Sequence, residues 1–192
     1  MSSSQIRADA VALRAAVADF GLRLAAVASE MSPDELFEVT GELQGAANAV
    51  EGAQLVAIAH AGSHETRLTE RGPVEVHHEL GFIDQMTSSE VSLATGVGQW
   101  AAGRKVGLAA ALSSRFPRLL AKVMAGELAG VNAQKVVSVC DGLDEQACAA
   151  VESVLADRLV GMDPAPGHHR RPSGRDPRRR RPGRRHHGQE QG

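Results

Sequence analysis

The N-terminal stretch carries apolar side chains at alternating spacings of four and three positions, and this pattern constrains the fold more than any other feature of the chain. The apolar series is Ile6, Ala10, Leu13, Val17, Phe20, Leu24, Val27 and Met31. A repeat of about 3.5 residues held for more than three heptads is typical of a long α-helix with one apolar seam. The sequence therefore predicts a helix over about 5–30.

The next segment repeats the pattern after a helix-start signal. Ser32 is a good N-cap residue, Pro33 suits the first helical position, and Glu35 completes a capping box. A second apolar seam follows, at Leu36, Val39, Leu43, Ala46, Val50, Ala53 and Ala57. It predicts a helix over about 33–60, roughly 40 Å long at about 1.5 Å per residue.

Two long helices joined by a tight turn predict an antiparallel helical hairpin. Three glycines interrupt the second helix, namely Gly41, Gly45 and Gly52, and we expect them to let a neighbouring helix approach closely. The two seams also predict self-association through residues 5–60.

The rest of the chain predicts shorter helices. Residues 61–74 form a polar segment that predicts a loop, with a short helix near 75–83. "TSSE" at Thr87–Glu90 is a second capping box, and Asn132 and Asp144 are further N-cap candidates. The helices are expected over about 87–95, 99–114, 117–127, 132–140 and 144–160. No convincing alternating strand is found, so the predicted fold class is all-α, a long N-terminal hairpin with a bundle of shorter helices.

Charge divides the chain into two parts. Residues 1–164 hold 12 of the 21 Lys and Arg residues and 21 of the 23 Asp and Glu residues, a net charge of −9. Residues 165–192 hold the other 9 basic and 2 acidic residues, a net charge of +7, among Pro, Gly and His. The composition predicts an acidic helical domain over 1–164 and a disordered basic tail over 165–192.

The genetic code suggests an origin for this tail. When residues 166–177 are encoded with GC-rich codons and read one base later, they become R-V-T-T-V-A-R-Q-V-A-T-R, an amphipathic helical pattern. We therefore expect that a frameshift just after Pro164 replaced the original continuation. The alternative interpretation of the tail is a disordered arm that binds nucleic acid.

Cysteine content and hydropathy predict the compartment. Cys140 and Cys148 are the only cysteines, too few for a disulfide framework or a zinc site, which favours a reducing cytoplasm. Charged residues interrupt the N-terminal apolar positions, which argues against a signal peptide. No stretch is long enough to span a membrane, so no membrane partner is predicted.

Two motifs resemble ligand sites but lack the context that such sites need. "GVGQWA" fits the G-x-G-x-x-A form of a dinucleotide turn, yet no strand precedes it. The histidines at 60, 64, 77 and 78 lie around a polar loop, a poor scaffold for zinc, and are interpreted as solvated loop side chains. The sequence predicts no catalytic constellation, no cofactor, no metal site and no small-molecule ligand.

Residues 88–112 fit a helix-turn-helix, which is the basis of an alternative function. Ala94 and Gly98 have the spacing of the small residue and the tight turn, and Leu93 and Val97 would face the core of the motif. Four basic residues are the candidate phosphate contacts: Arg104, Lys105, Arg115 and Arg118. Against DNA binding, Arg104 lies where such motifs bury an aliphatic side chain, and the acidic body would repel DNA. An ordinary helical corner with a solvated basic face explains the same residues.

The segments "FIDQMTSSEVSLATGVGQWAAGRKVGLAAAL" and "AALSSRFPRLLAKVMAGELAGVNAQKVVSVCDGLD", followed by an acidic helix and "MDPA", resemble domain-of-unknown-function family 222. This family is also called the thirteen-E-twelve repeat family. The resemblance covers roughly residues 35–164 and implies a helical domain that continues, in many members, into an HNH nuclease module. The four tail histidines lack the spacing of such a module, so the resemblance assigns no catalytic residue to this chain.

Together these features predict a truncated, non-catalytic N-terminal helical region of an HNH-endonuclease-type protein, with protein association or weak DNA contact as its remaining activity. The first alternative is a small DNA-binding protein that uses residues 88–112 and the basic tail. The second alternative is a self-associating structural helical protein. An autonomous enzyme is the interpretation with least support.

Overall fold

The computed structural model describes residues 2–159. The fold class is all-α, as predicted, with one small two-stranded sheet in this part of the chain. The helices are α1 (Ser3–Val27), α2 (Pro33–Gly62), α3 (Thr87–Thr95), α4 (Gln99–Arg115), α5 (Pro117–Met124), α6 (Gly130–Val139) and α7 (Glu145–Leu155). The strands are β1 (His64–Thr69) and β2 (Gly72–His77). The predicted disordered tail, the frameshift and the domain boundary after residue 164 lie outside the described residues.

The two long N-terminal helices and their short connection agree with the prediction. The Ser2 hydroxyl accepts a hydrogen bond from the Gln5 N–H at 3.2 Å and caps α1. The capping box of α2 is present, because Glu35 N donates to the Ser32 hydroxyl at 3.3 Å and Ser32 N donates to a Glu35 carboxylate oxygen at 2.7 Å. However, α1 and α2 do not pack side by side along their length, and α1 contains no buried residue.

The core lies between the C-terminal half of α2 and the shorter helices. α4 crosses its centre and contacts α2, α3, α5, α6 and α7. The largest fully buried side chains are Phe116, Leu55, Leu112, Leu119, Leu128 and Val123. α2 is therefore buried along the C-terminal part of one face and exposed along its N-terminal half.

Two of the three predicted glycines lie at close backbone contacts. Gly52 contacts α5, and the Gly45 backbone lies beside Gly126, just after α5, where a Cβ at residue 126 would be 2.6 Å from the Gly45 carbonyl oxygen. A Cβ atom at Gly52 would lie 2.7 Å from the backbone nitrogen of Met124. A Cβ at Gly41 would meet nothing within 4 Å. Next to this contact, Asn48 Nδ2 donates to the carbonyl oxygen of Gly126 at 3.3 Å. Gly52 therefore behaves as expected, whereas Gly41 does not lie at a helix contact.

The prediction of a loop over 61–74 and a short helix near 75–83 is wrong. These residues form an antiparallel β-hairpin, paired from His64 with His77 to Thr69 with Gly72. Gly72 has a φ of 111°, a left-handed conformation that favours glycine and lets the chain reverse. Val74 and Val76 supply the β-branched side chains that suit a strand. Most side chains of both strands are exposed, so the hairpin lies at the surface of the bundle.

Helix boundaries differ from the prediction by a few residues. α3 begins after Met86, whose N–H donates to Asp84 Oδ2 at 2.8 Å, so Thr87 does not act as the cap. α5 ends at Met124, since Gly126 adopts a φ of 80°. α6 begins at Gly130, ahead of the predicted cap at Asn132.

The last described helix begins as predicted. Ala147 N donates to Asp144 Oδ1 at 2.7 Å, which makes Asp144 the N-cap of α7. The helix ends at Leu155, before the predicted position of about residue 160. Between α6 and α7, Gly142 has a φ of 84° and reverses the chain.

Candidate association surface

The apolar seam of α1 is uncovered over its N-terminal half. Ile6 is 49% exposed, Leu13 is 51% exposed and Val17 is 53% exposed. Only Phe20 and Leu24 within the helix are half-buried. In a globular domain, a helix with an apolar stripe normally turns that stripe toward a core. Here the stripe continues beyond the point where the part of the chain that the structure describes provides a partner for it.

An open apolar groove lies close to the turn that connects α1 and α2, mostly along α2 and with Phe20 of α1 at its edge. The groove has a volume of about 580 Å³ and is lined by Phe20, Met31, Glu35, Glu38, Val39, Glu42, Leu43 and Ala46. Its apolar residues belong to the two seams that the sequence predicts. Further along α2, Leu43 is 39% exposed and Val50 is 37% exposed, so the second seam is also incompletely covered.

The charges of the two helices are of opposite sign. α2 contains five acidic residues and no Lys or Arg, whereas α1 contains three Arg and two Asp. The groove carboxylates come from Glu35, Glu38 and Glu42. The fourth glutamate of α2, Glu51, faces away and accepts a hydrogen bond from Gly130 N at 3.2 Å. The groove therefore combines an apolar floor with an acidic row.

Two arginines of α1 have no ion-pair partner among residues 2–159. Arg23 pairs with Asp19 at 2.9 Å on the same helix. Arg7 and Arg14 make no such pair within that range. Both are exposed, and each follows a seam residue directly in sequence, so they lie along one edge of the uncovered seam.

The candidate DNA-contacting residues on α4 are engaged with neighbouring side chains. The Arg104 guanidinium lies 4.8 Å from the centre of the Trp100 ring. Lys105 Nζ donates to Gln54 Oε1 at 2.7 Å. Trp100 itself is 74% exposed, which the sequence analysis did not anticipate for the only tryptophan of the chain.

The other two candidate residues lie at the far end of α4 and on α5. The Arg115 guanidinium is 5.7 Å from the centre of the Phe116 ring. Arg118 Nη2 is 3.5 Å from Asp157 Oδ2. Arg104 and Arg115 are roughly 16 Å apart along the helix axis, given a rise of about 1.5 Å per residue. The four basic residues are thus distributed along the molecule and do not form one cluster.

The turn between α3 and α4 has the expected glycines but not the expected core. Gly96 ends α3 with a φ of 73°, and Gly98 is the N-cap of α4. Leu93 is 86% exposed and Val97 is 38% exposed. The prediction that both face the core of a helix-turn-helix is therefore wrong.

His64 and His77 lie on strands and not in the predicted loop, but both are exposed, as predicted for solvated side chains. His64 and His77 are cross-strand partners with ring centres 3.9 Å apart. His78 Nε2 is 2.7 Å from Glu65 Oε2. Hydrogen bonds from Arg67 and then His78 lower the pKa of the Glu65 carboxyl. Within residues 2–159, no group of three or more His, Cys, Asp or Glu side chains is arranged to hold a metal ion.

The two cysteines belong to the core. Cys140 and Cys148 are buried free thiols. Burial, together with the adjacent Cys148, raises the pKa of the Cys140 thiol. Because the thiolate is the nucleophilic form, this environment disfavours reactivity at Cys140.

Comparison with known proteins gives no relative: no protein-family model, curated protein or solved structure matches the chain. Across residues 2–159, none of the helices combines the length and apolar character needed to cross a membrane.

Proposed function

We propose that this chain is a non-catalytic helical module that associates with itself through residues 5–60. The observation that supports this most directly is α1, which keeps a heptad seam over its length and buries none of its residues in the chain. An isolated helix in water is marginal, since most helices in proteins are stabilised by packing of an apolar face. A second protein surface would supply that packing.

The energetic gain from covering the seam is substantial. Full burial of a Leu, Ile or Val side chain contributes about 1.5–3 kcal/mol, so covering a half-exposed one contributes about 1 kcal/mol. Ile6, Leu13 and Val17 are each about half exposed. In a symmetric dimer every such contribution counts twice, because the same patch is used by both copies.

The resemblance to domain-of-unknown-function family 222 is part of this proposal. It rests on the segments within residues 82–144 that are quoted above and on the acidic helix after them. In that family the helical region precedes an HNH nuclease module. In family members that carry that module, self-association of the helical region would bring two nuclease modules together. In this chain the association alone is proposed, in the cytoplasm.

Sedimentation velocity over a wide range of protein concentration tests self-association. We expect the mass to rise from monomer to dimer, and Leu13→Asp to shift the chain to monomer because it places a charge in the seam. The matched control is Leu22→Asp on the same helix, since Leu22 is 75% exposed but lies opposite the seam. Equal effects of the two substitutions, or a monomer at every concentration, would contradict the proposal.

A second candidate function is DNA binding at the α3–α4 corner. The observation that favours it is the exposed Trp100 with Arg104 stacked on its ring, at the start of the second helix of a glycine-containing turn. Phosphate contacts from Arg104, Lys105, Arg115 and Arg118 would make the affinity fall steeply with salt. Binding of duplex DNA that is lost in Arg104→Ala and in rising salt would favour this function over self-association.

A further inference from the structure

We propose that α1 of a second copy occupies the groove between α1 and α2, antiparallel to α1 and parallel to α2, with its Arg7 and Arg14 beside the acidic row of Glu35, Glu38 and Glu42. This inference rests on the proposed self-association and specifies its geometry. The second copy does the same in return, so that both grooves are filled by one two-fold symmetric contact.

The groove and the N-terminal half of α1 are complementary in shape and polarity. The groove floor is apolar, with Phe20, Val39 and Leu43 among its lining residues, and its acidic side chains all come from α2. The occupant must therefore present an apolar strip with basic residues beside it. The N-terminal half of α1 has that pattern, since Ile6 and Leu13 belong to the seam and an arginine directly follows each of them.

The uncovered seam and the groove lie at opposite ends of α1. The uncovered part of the seam lies at the start of α1, whereas the groove lies at its end, between Phe20 and Ala46. When two copies of α1 run in opposite directions, the start of each lies beside the end of the other. A parallel pair would place the two uncovered halves together and leave both grooves empty, so the antiparallel arrangement is the one that covers both features.

The charges of the groove and of α1 are also complementary. α2 carries five acidic residues without a Lys or Arg, and Arg7 and Arg14 have no ion-pair partner among the described residues. Arg7 and Arg14 are seven positions apart, about 10.5 Å on a helix, which equals the distance from Glu35 to Glu42. Phe20 and Leu43 line the same groove although they lie eleven positions before and twelve positions after Met31, so α1 and α2 run in opposite directions past it. An occupying α1 that is antiparallel to the first therefore runs parallel to α2, and its two arginines follow the acidic row in register.

Charge reversal on each side tests this arrangement in the full-length chain. The first variant is R7E/R14E and the second is E38R/E42R, which leaves the capping residue Glu35 in place. Each would place like charges opposite one another, and we expect the dimer dissociation constant to rise by roughly a hundredfold or more. Circular dichroism of both variants verifies that the helices are retained.

An equimolar mixture of the two variants provides the rescue. In the mixed dimer, the acidic α1 of R7E/R14E meets the basic groove of E38R/E42R, and the unchanged α1 of the second variant meets the unchanged groove of the first. We expect the mixture to regain most of the dimer affinity that each variant loses, although residue 7 still faces the unchanged Glu35, and a general loss of folding could not produce this recovery. Two control variants carry the same changes in net charge at sites away from the groove. R71E/R158E matches R7E/R14E, and E70R/E75R on the hairpin matches E38R/E42R. Both controls should leave the dimer intact.

The outcomes separate this inference from the function on which it rests. Dissociation of each variant with recovery in the mixture supports the proposed geometry. Variants that remain dimeric overturn the geometry but leave self-association in place. A wild-type chain that is monomeric at all concentrations overturns both.

Discussion

At the scale of single residues, two glycines on the same helix have opposite roles. Gly52 allows the backbones of α2 and α5 to touch, whereas Gly41 faces open space. The difference arises because the buried face of α2 is confined to the C-terminal part of the helix. Their positions inside the predicted helix identified both glycines as candidates for a close contact, and only the packing of α5 distinguishes them.

We therefore expect Gly52→Ala and Gly41→Ala to change stability in opposite directions. A Cβ at residue 52 would lie 2.7 Å from Met124 N and 2.8 Å from its Cα, and backbone atoms cannot rotate away. Overpacking of this kind costs about 1–3 kcal/mol. Gly41→Ala should stabilise the chain by about 0.5–1 kcal/mol through helix propensity. Urea denaturation of both variants gives the two free energies, and a loss of stability in Gly41→Ala would contradict this account.

At the scale of secondary-structure elements, the stability of the first turn of α2 depends on pH. The backbone N–H of Ser32, and then its hydroxyl, donate hydrogen bonds that lower the pKa of Glu35 from its ordinary value of 4.5. Since the pKa is lower in the folded chain, the carboxylate stabilises the helix fully above pH 4.5. This stabilisation is lost as the pH falls through the folded pKa.

We expect the stability difference between the wild type and Glu35→Gln to be largest near neutral pH and to disappear in acid. Chemical denaturation at a series of pH values measures it. Ser32→Ala, which removes the donor hydroxyl, should reduce the same pH dependence. If the free energies of unfolding of the wild type and Glu35→Gln changed in parallel with pH, the capping box would not be the source of the pH dependence.

The sequence predicts an element well when that element has a regular apolar face, and poorly when its side chains are mostly exposed. Both long helices follow from seams of alternating spacing, and α7 follows from Asp144 and the apolar positions after it. The hairpin was missed because its strands are mostly exposed and lack a continuous alternating apolar face. The available signals were Gly72 at the turn and the pair Val74 and Val76. The groove was only partly predictable, since periodicity identifies a seam but not whether the chain itself covers it.

At the scale of the whole molecule, α1 and the bundle differ in how they are stabilised. α4 buries seven of its residues, whereas α1 buries none. Local opening is easiest where few apolar contacts hold an element. We expect amide hydrogens of α1 to exchange much faster than those of α4 in dilute protein, and to become protected as the concentration rises. Hydrogen exchange read by mass spectrometry measures both, and concentration-independent protection of α1 would contradict self-association through this helix.

The difference between the two faces of α2 has an evolutionary consequence. Leu55 and Ile58 belong to the core, whereas Glu38 and Glu42 lie on the groove and contribute nothing to the bundle interior. Substitutions at Glu38 and Glu42 can therefore accumulate with little penalty in folding. After gene duplication, a few charge-reversing substitutions in the groove and on α1 would make each copy pair only with itself. One fold would then form several dimers that do not exchange subunits.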